Sequence, residues 1–225
     1  MGNLIINFTG LYEKMNLELP DRNFIDFTKL TGSELYVDEN AERIIRKEIR
    51  KYGADGIHML DNGNYHYLTR LFLHELNEPF DLLYFDNHSD DQPPAFEGLK
   101  SCGSWVLDTR NELREKLGAV FWADGKSFIH KYGEMSSERP LYISVDKDVF
   151  DKKIAPTNWD QGNMTFEGFT DILNDLSSGR RIAGIDICGE CAPTDGFFNS
   201  EELRINEETD MRLIRVFNIL TKVSD

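Results

Sequence analysis

Two short acidic motifs in the sequence have the residue types and the spacing of metal ligands. One reads Asp86-x-His88-x-Asp90 and the other reads Asp146-x-Asp148. In an extended or gently turning backbone, alternate side chains point the same way, so each motif directs its ligands to one side. Carboxylates clustered in this way repel one another unless a cation neutralises them. Oxygen ligands with a little imidazole suit Mn²⁺ better than they suit structural zinc, whose sites are rich in thiolates.

Each motif follows a short apolar run that predicts a buried β-strand. Runs of this kind, rich in Ile, Leu, Val and aromatic residues, are typical of parallel strands that are covered on both faces. Seven runs are present, at residues 4–8, 35–37, 57–60, 82–86, 119–122, 141–145 and 182–187. Four of them are followed by an Asp, His or Glu, namely His66, Asp86, Asp146 and Glu190. We therefore expect these four side chains at one edge of a single sheet.

Helical patterns lie between the predicted strands. They cover residues 39–52, 65–76, 105–117, 166–176 and 202–221. Asp38 is the expected N-cap of the first helix and Gly53 its expected C′ residue, while Thr165 is the expected N-cap of the fourth. Alternating strands and helices predict right-handed βαβ units. The predicted fold class is therefore α/β, a three-layer αβα arrangement with a doubly wound, mostly parallel sheet.

The length and charge of the chain limit the classes of function. With 225 residues, the chain is expected to form one domain over residues 1–225. Its 40 acidic and 25 basic residues give a net charge of −15, which argues against nucleic acid and membrane as partners. The same charge fits metal ions and a small cationic substrate, and a homo-oligomer stays open. Three cysteines, no apolar run of about 18 residues and no basic n-region predict a cytoplasmic protein without a disulfide framework.

The motifs resemble those of the ureohydrolases, the superfamily of arginase, agmatinase and formimidoylglutamase. Residues 86–90 are similar to the D-A-H-x-D motif of that superfamily, and residues 144–151 are similar to its S-x-D-x-D-x-x-D motif. Residues 63–66 stand where the superfamily has G-G-D-H, and residues 184–190 resemble its G-x-D-x-x-E segment with one extra residue before the glutamate. The resemblance covers roughly residues 56–190, with the motifs in the same order. It implies an arginase-like fold and a hydrolase that acts on C–N bonds.

Carried over residue by residue, the resemblance implies two Mn²⁺ ions held by six side chains. One ion would be bound by His66, Asp86, Asp90 and Asp146, and the other by Asp86, His88, Asp146 and Asp148. Asp86 and Asp146 would bridge the two ions. Two ions about 3.5–4 Å apart lower the pKa of a shared water, and the resulting hydroxide would attack an amidine or guanidino carbon. Asp90 would orient that hydroxide as a catalytic residue, and Glu190 would face the cationic nitrogens of the substrate.

Three segments depart from the ureohydrolase pattern. Residues 92–105 contain no histidine, whereas arginases have one there that is thought to shuttle a proton. Tyr65 stands in place of the aspartate that precedes the first histidine. Residues 158–161 replace a glycine-rich stretch, and we predict that Trp159 and Asp160 form a substrate wall, with a packed loop as the alternative. These departures weigh against arginase activity itself and leave the general acid unassigned.

Cys188 and Cys191 have the spacing of a CxxC motif, which occurs in redox pairs and in halves of zinc sites. A redox pair would open a helix, whereas the following Pro193 and the residues after it indicate a loop. We therefore predict two reduced thiols at the floor of the pocket.

Two other functions stay open beside the dinuclear hydrolase. One is a mononuclear, zinc-dependent amidohydrolase related to deacetylases, which would use fewer carboxylates; Asp90 together with Asp148 favours two metals over one. The other is a non-catalytic, ureohydrolase-like binding protein, which the altered first motif and the missing histidine favour. Retention of both aspartate motifs counts against it, because buried carboxylates without a function are costly.

Overall fold

An eight-stranded sheet forms the middle layer of the structure, a computed structural model that describes residues 2–94, 96 and 98–224. The strands in chain order are β1 (Leu4–Asn7), β2 (Asn23–Asp26), β3 (Tyr36–Val37), β4 (Ile57–Met59), β5 (Phe80–Phe85), β6 (Lys100–Ser101), β7 (Leu117–Ala123), β8 (Ile129–Tyr132), β9 (Leu141–Asp146) and β10 (Ile182–Cys188). The order across the sheet is β2-β1-β4-β10-β9-β5-β7-β8, while β3 and β6 form a separate antiparallel pair. All neighbours in the large sheet are parallel except β7 and β8.

Five helices cover the two faces of the sheet. They are α1 (Glu39–Ile49), α2 (Leu68–Leu73), α3 (Trp105–Glu112), α4 (Phe166–Ser177) and α5 (Ser200–Ser224). Apolar side chains of α1, α2 and α3 pack on one face, and those of α4 and α5 pack on the other. Successive strand residues such as Leu82 and Leu83 belong to opposite cores, as the twofold alternation of a strand requires. The predicted three-layer αβα arrangement with a doubly wound, mostly parallel sheet is confirmed.

All seven predicted strands are present, with ends that differ by one or two residues. The predicted strand at 35–37 belongs to the small antiparallel pair and not to the large sheet. Three strands were not predicted. Strand β6 has only two residues, and the outermost strands β2 and β8 carry exposed and polar side chains that break the apolar pattern.

The predicted helix ends were less accurate than their positions. The pattern at 65–76 becomes a 3₁₀ turn, Gly63–Tyr65, followed by the shorter helix α2. Helix α3 ends before 117 because β7 begins there. Asp38 and Thr165 are confirmed as N-caps, but α1 ends three residues before the predicted end, and Gly53 has a φ of +76° beyond the helix. No helix in the described ranges is long and apolar enough to cross a bilayer. The assignment of residues 1–225 to one domain stays a prediction.

Acid is expected to destabilise the fold through His58 on β4. Its ring is fully buried and stacks on Phe72 with 3.9 Å between ring centres. Burial lowers the pKa of His58 from 6.5 to about 3, so the unfolded chain takes up this proton first. The stabilisation from neutral His58 is complete above pH 6.5 and is lost as the pH falls toward 3. The loss is about 1.4 kcal/mol per pH unit, or about 2 kcal/mol at pH 5.

Urea denaturation at pH 7 and pH 5 measures this loss. The variant His58→Phe keeps a ring against Phe72 without a titrating group, so it should lose less stability than the wild type over the same interval. Equal losses in both proteins would contradict the assignment.

Candidate metal centre

The loops after the four central strands bring the predicted site residues together. Strands β4, β10, β9 and β5 are neighbours and parallel, so their carboxyl ends lie side by side. His66 follows the 3₁₀ turn after β4, Asp86 follows β5 directly, and Asp146 is the last residue of β9. The predicted edge of the sheet therefore carries a buried cluster of carboxylates and imidazole.

An inner group of side chains surrounds the ring of His66. Its Nδ1 lies 3.1 Å from Asp86 Oδ2, 3.3 Å from Asp90 Oδ2 and 3.4 Å from Asp146 Oδ2. His66 Nδ1 and Asp86 Oδ2 are buried and have no well-oriented hydrogen-bond partner in the described part of the chain. Buried polar atoms without partners are costly, and a cation between them would satisfy both. The donor set therefore fits a divalent metal ion.

An outer group of side chains lies beside the first and shares Asp86 with it. It consists of Asp86, His88 and Asp148, whose ligand atoms lie within 4.8 Å of one another, as do those of His66, Asp86 and Asp146. His88 Nδ1 is 2.8 Å from Asp148 Oδ2 and 3.6 Å from Asp86 Oδ1. Asp86 thus presents one carboxylate oxygen to each group. The grouping places Asp146 in the inner group alone, and its predicted bridging role stays a prediction.

The electrostatic environment of the carboxylates favours a bound cation. Burial and the charge of Asp148 raise the pKa of Asp146 well above its ordinary value. Burial and the charge of Asp86 raise the pKa of Asp148 to about 7. Burial also raises the pKa of Asp90. These groups cannot all be ionised at low cost, so they hold either protons or a metal.

The two histidines are also favoured in their protonated form, which for an imidazole is the charged form. Burial opposes protonation of His66, but its contacts with Asp86 and Asp90 raise its pKa well above the ordinary value. The hydrogen bond with Asp148 raises the pKa of His88 to about 12. Each protonated imidazole therefore supplies positive charge among the carboxylates. A metal ion at the same position would compete with the imidazole proton.

Three residues without an assigned role in the sequence analysis orient the ligands. His66 Nε2 is 2.9 Å from Ser144 Oγ, and Ser144 donates its own hydrogen to Asp186. Ser144 then accepts from Nε2–H, so that Nδ1 faces the carboxylates and is free to hold either a proton or a metal ion. Trp105 Nε1 donates to Asp90 Oδ2 at 2.7 Å. Ser144 and Asp186 stand inside the quoted motifs, whereas nothing in the sequence links Trp105 to Asp90.

A cavity of about 390 Å³ opens above the two groups. Its floor includes Asp86, Asp146 and Asp148, and its walls include Leu35, Tyr36, Cys102 and Trp159. The ring of Trp159 lies 5.8 Å from the ring of His88. Asp160 Oδ1 lies 3.0 Å from His88 Nε2, and the Asp160 side chain is 82% exposed. The structure therefore places both predicted wall residues beside His88, one in the cavity and one at its rim.

Solved structures with similar folds include two enzymes, a formimidoylglutamase and an amidino hydrolase. Formimidoylglutamase from Bacillus subtilis superposes with a TM-score of 0.63 at 11% identity, over 97% of this chain and 87% of that one. Proclavaminate amidino hydrolase from Streptomyces clavuligerus gives 0.63 at 14% identity, over 100% and 92%. The chain has the ureohydrolase fold. A triple mutant of the T. brucei arginase-like protein, bound with Mn²⁺, gives 0.53 at 13% identity, over 95% and 90%.

Sequence comparison adds one relative. An uncharacterized protein of Thermotoga maritima is 28% identical over 214 residues, which covers 90% of this chain and 85% of that protein. No family model matches the sequence. The resemblance to the ureohydrolases is therefore confirmed at the level of the fold.

Glu190 lies at the expected edge of this ureohydrolase fold, but its side chain points into the protein. Its Oε2 is 2.7 Å from Lys147 Nζ, which also contacts Asp210 Oδ1 at 2.6 Å, and all three side chains are fully buried. The Tyr12 hydroxyl donates to Glu190 Oε1 at 3.3 Å. Burial and the charge of Asp210 raise the pKa of Glu190 to about 8 against the opposing effect of Lys147. Glu190 is missing from the described residues that line the cavity, so this geometry gives no support to its predicted contact with substrate.

The three cysteines are free, and the predicted pair of pocket thiols is placed elsewhere. Cys188 and Cys191 are buried, and Cys188 Sγ donates to the carbonyl oxygen of Asn62 at 3.2 Å. Among the described lining residues the thiol present is that of Cys102. Burial raises the pKa of Cys102 to about 12, so its thiol is protonated at neutral pH.

Metal binding is expected to stabilise the folded chain. Mn²⁺ at a hundredfold excess over its Kd should add about 2.7 kcal/mol to the free energy of unfolding, because the unfolded chain has no assembled site. Thermal melts with Mn²⁺ and with a chelator measure the effect. Asp86→Ala, which removes the side chain shared by both groups, should abolish the difference, and Asp171→Asn, at an exposed position on α4, should keep it. A wild-type melting temperature that is the same in both conditions would rule out the metal assignment.

Proposed function

We propose that the chain belongs to the ureohydrolase superfamily and is a metal-dependent hydrolase. In this proposal it holds two Mn²⁺ ions and cleaves a C–N bond in a small molecule of the amidine or guanidino type. The observation that carries the proposal is the sharing of Asp86 between two ligand groups at the carboxyl edge of the sheet. The ureohydrolase fold and the unpartnered ligand atoms support it.

The donor set favours two hard cations over a single zinc ion. A mononuclear site would need only the inner group, and the half-buried His88 and the buried Asp148 would then face each other without a cation. The side chains around the two positions supply carboxylate oxygen and imidazole nitrogen, a combination that suits Mn²⁺. Cys188 and Cys191 are buried and are not among the described residues that line the cavity, so the proposal assigns them no role as metal ligands.

The chemistry follows from how the chain would place a water and a substrate. When bound, two divalent ions lower the pKa of a shared water toward neutrality and polarise the substrate. Asp90 is held by Trp105, so its carboxylate has a fixed direction toward the inner group. Because burial raises the pKa of Asp90, it can accept a proton during attack and return it later. We therefore assign Asp90 the role of proton carrier.

Substrate recognition is assigned to the cavity rim, because Glu190 is already paired with Lys147. Asp160 offers an exposed carboxylate beside His88, where it can meet a cationic nitrogen. The face of Trp159 lines the adjacent wall, and an indole face attracts cations. A small cationic substrate entering the cavity would contact both. We also propose a cytoplasmic location, which the free cysteines support.

The substrate class can be tested directly on the Mn²⁺-loaded protein. The expected result is release of urea from arginine, agmatine or a guanidino acid, or of formamide from formiminoglutamate. Asp146→Ala, treated identically, is the control and should be inactive. Binding of Mn²⁺ without turnover of any candidate would favour the second candidate function, a non-catalytic binding protein. The buried Lys147–Glu190 pair also favours that function, because it keeps Glu190 away from a substrate.

The variant Asp148→Asn distinguishes a centre with two metal ions from a centre with one. This carboxylate belongs to the outer group alone, so the variant should keep one ion while Asp86→Ala should lose both. Loss of the second ion should lower kcat/KM by several orders of magnitude while the fold survives. Elemental analysis gives the stoichiometry, and circular dichroism checks the fold. One tightly bound zinc in the wild type, unchanged in Asp148→Asn, would instead promote the mononuclear alternative.

A further inference from the structure

Strand β8 is an open edge of the large sheet. It is the last strand in the order and pairs antiparallel with β7 on one side. The Asp124 N–H donates to the Phe128 carbonyl, so these two residues are a hydrogen-bonded pair. The pair Trp122 and His130 lies two residues further along both strands and is therefore hydrogen-bonded as well. The antiparallel alternation therefore turns the backbone of His130 toward β7 and the N–H and C=O groups of Ile129 and Lys131 outward. These outward groups form a template for a further strand.

Exposed apolar side chains are concentrated on the same edge. Among the described residues, ten large hydrophobic side chains are exposed, and four of them lie within eight positions: Phe128, Ile129, Tyr132 and Met135. Strand β8 itself carries His130 and Lys131, but its other two side chains, Ile129 and Tyr132, are exposed apolar groups, and proteins normally cover such groups on an edge strand. The concentration marks this edge as a contact surface.

The sequence of the edge is complementary to itself. We propose that β8 pairs antiparallel with β8 of a second copy of this chain, about a twofold axis at His130, so that the two sheets become continuous. Ile129 of each copy then lies opposite Lys131 of the other, and their outward groups form about four backbone hydrogen bonds. Phe128 of each copy lies opposite Tyr132 of the other, on the face that carries His130. Aromatic pairs of this kind are among the favourable cross-strand contacts.

The side chains on that face are already held by the chain. His130 stacks on Trp122 with 4.4 Å between ring centres, and Asp124 Oδ2 lies 3.0 Å from His130 Nε2. The Arg110 guanidinium lies 5.2 Å from the centre of the Tyr132 ring. Little side-chain freedom is therefore lost when the second copy binds, which lowers the cost of association.

Other twofold registers of the same strand are less favourable. An axis at Lys131 would place two lysines opposite each other, which is a repulsive pair. An axis at Ile129 would leave Tyr132 without an aromatic partner and shorten the paired region. The register centred on His130 gives the largest overlap, and the two His130 rings that it places opposite each other each contact Asp124 of their own copy.

Two double variants test the pairing by sedimentation equilibrium. Phe128→Glu with Tyr132→Glu places two acids opposite each other, so the Kd of the dimer should rise at least roughly tenfold. Phe128→Lys with Tyr132→Glu places opposite charges across the same contact, so this variant should remain dimeric and become salt-sensitive. Phe197→Glu, at an exposed aromatic residue after β10, is the control and should leave the wild-type dimer unchanged.

Hydrogen exchange gives a readout that needs no variant. The amides of Ile129 and Lys131 should become protected as the wild-type concentration rises, whereas those of His130 and Tyr132 should be protected throughout by β7. A monomeric wild type at about 100 µM, far above the Kd of a specific dimer, would overturn the proposal. Identical behaviour of the two double variants, or protection of Ile129 and Lys131 that is independent of concentration, would also overturn it.

Discussion

Repulsion among the carboxylates of Asp86, Asp90, Asp146 and Asp148 is the constraint on which the site depends. Parallel strands bring their carboxyl ends to one edge, and here neighbouring strand ends each deliver acidic side chains to the same buried volume. Burial makes that proximity costly, as the raised pKa values of Asp146 and Asp148 show. The protein therefore has to neutralise this edge, and the means of neutralisation is what gives the edge a chemical use.

The chain neutralises the two sides of this edge differently. Toward the cavity, the compensating charge is carried by the protonated imidazoles of His66 and His88, whose protons a metal ion can replace. Toward α5, the compensating group is the ammonium of Lys147, which is fully buried between Glu190 and Asp210 and is fixed. A buried lysine of this kind is stable only with both partners in place. The contacts of Lys147 therefore stabilise the strand ends, whereas the side with His66 and His88 is available for a metal ion.

The sequence predicted the elements that its local pattern determines. Asp86 and Asp146 sit at the ends of buried strands, as the apolar runs before them predict. Extended alternation does not place the rest of the motifs, because Asp148 lies in a 3₁₀ turn, Lys147–Val149, and Asp90 has a φ of +47°. The turn at His66 was predicted as helix, since its periodicity is helical, yet contacts with Asp86 and Ser144 hold it in a 3₁₀ turn. Tertiary context decided this segment, and propensity did not.

The direction of Glu190 could not be read from sequence for a similar reason. It depends on Asp210, 63 positions beyond Lys147, and on Tyr12, 178 positions before Glu190. Strand β8 was missed because its burial pattern carries no apolar alternation: one face is partly covered and its edge is open. Contacts between distant segments do not produce a periodic pattern in the sequence, so such a pattern cannot predict them.

The position of Lys147 also bears on how the protein folds. Its ammonium sits at the end of β9, and its partner Asp210 lies in the middle of the 25-residue helix α5 at the end of the described chain. Until α5 docks, this lysine lacks Asp210, one of its two partners, and it lies between Asp146 and Asp148, two candidate metal ligands. During synthesis the acidic edge therefore cannot mature strand by strand as the chain emerges. The edge is completed only after α5, which follows all ten described strands in the chain, has emerged and docked.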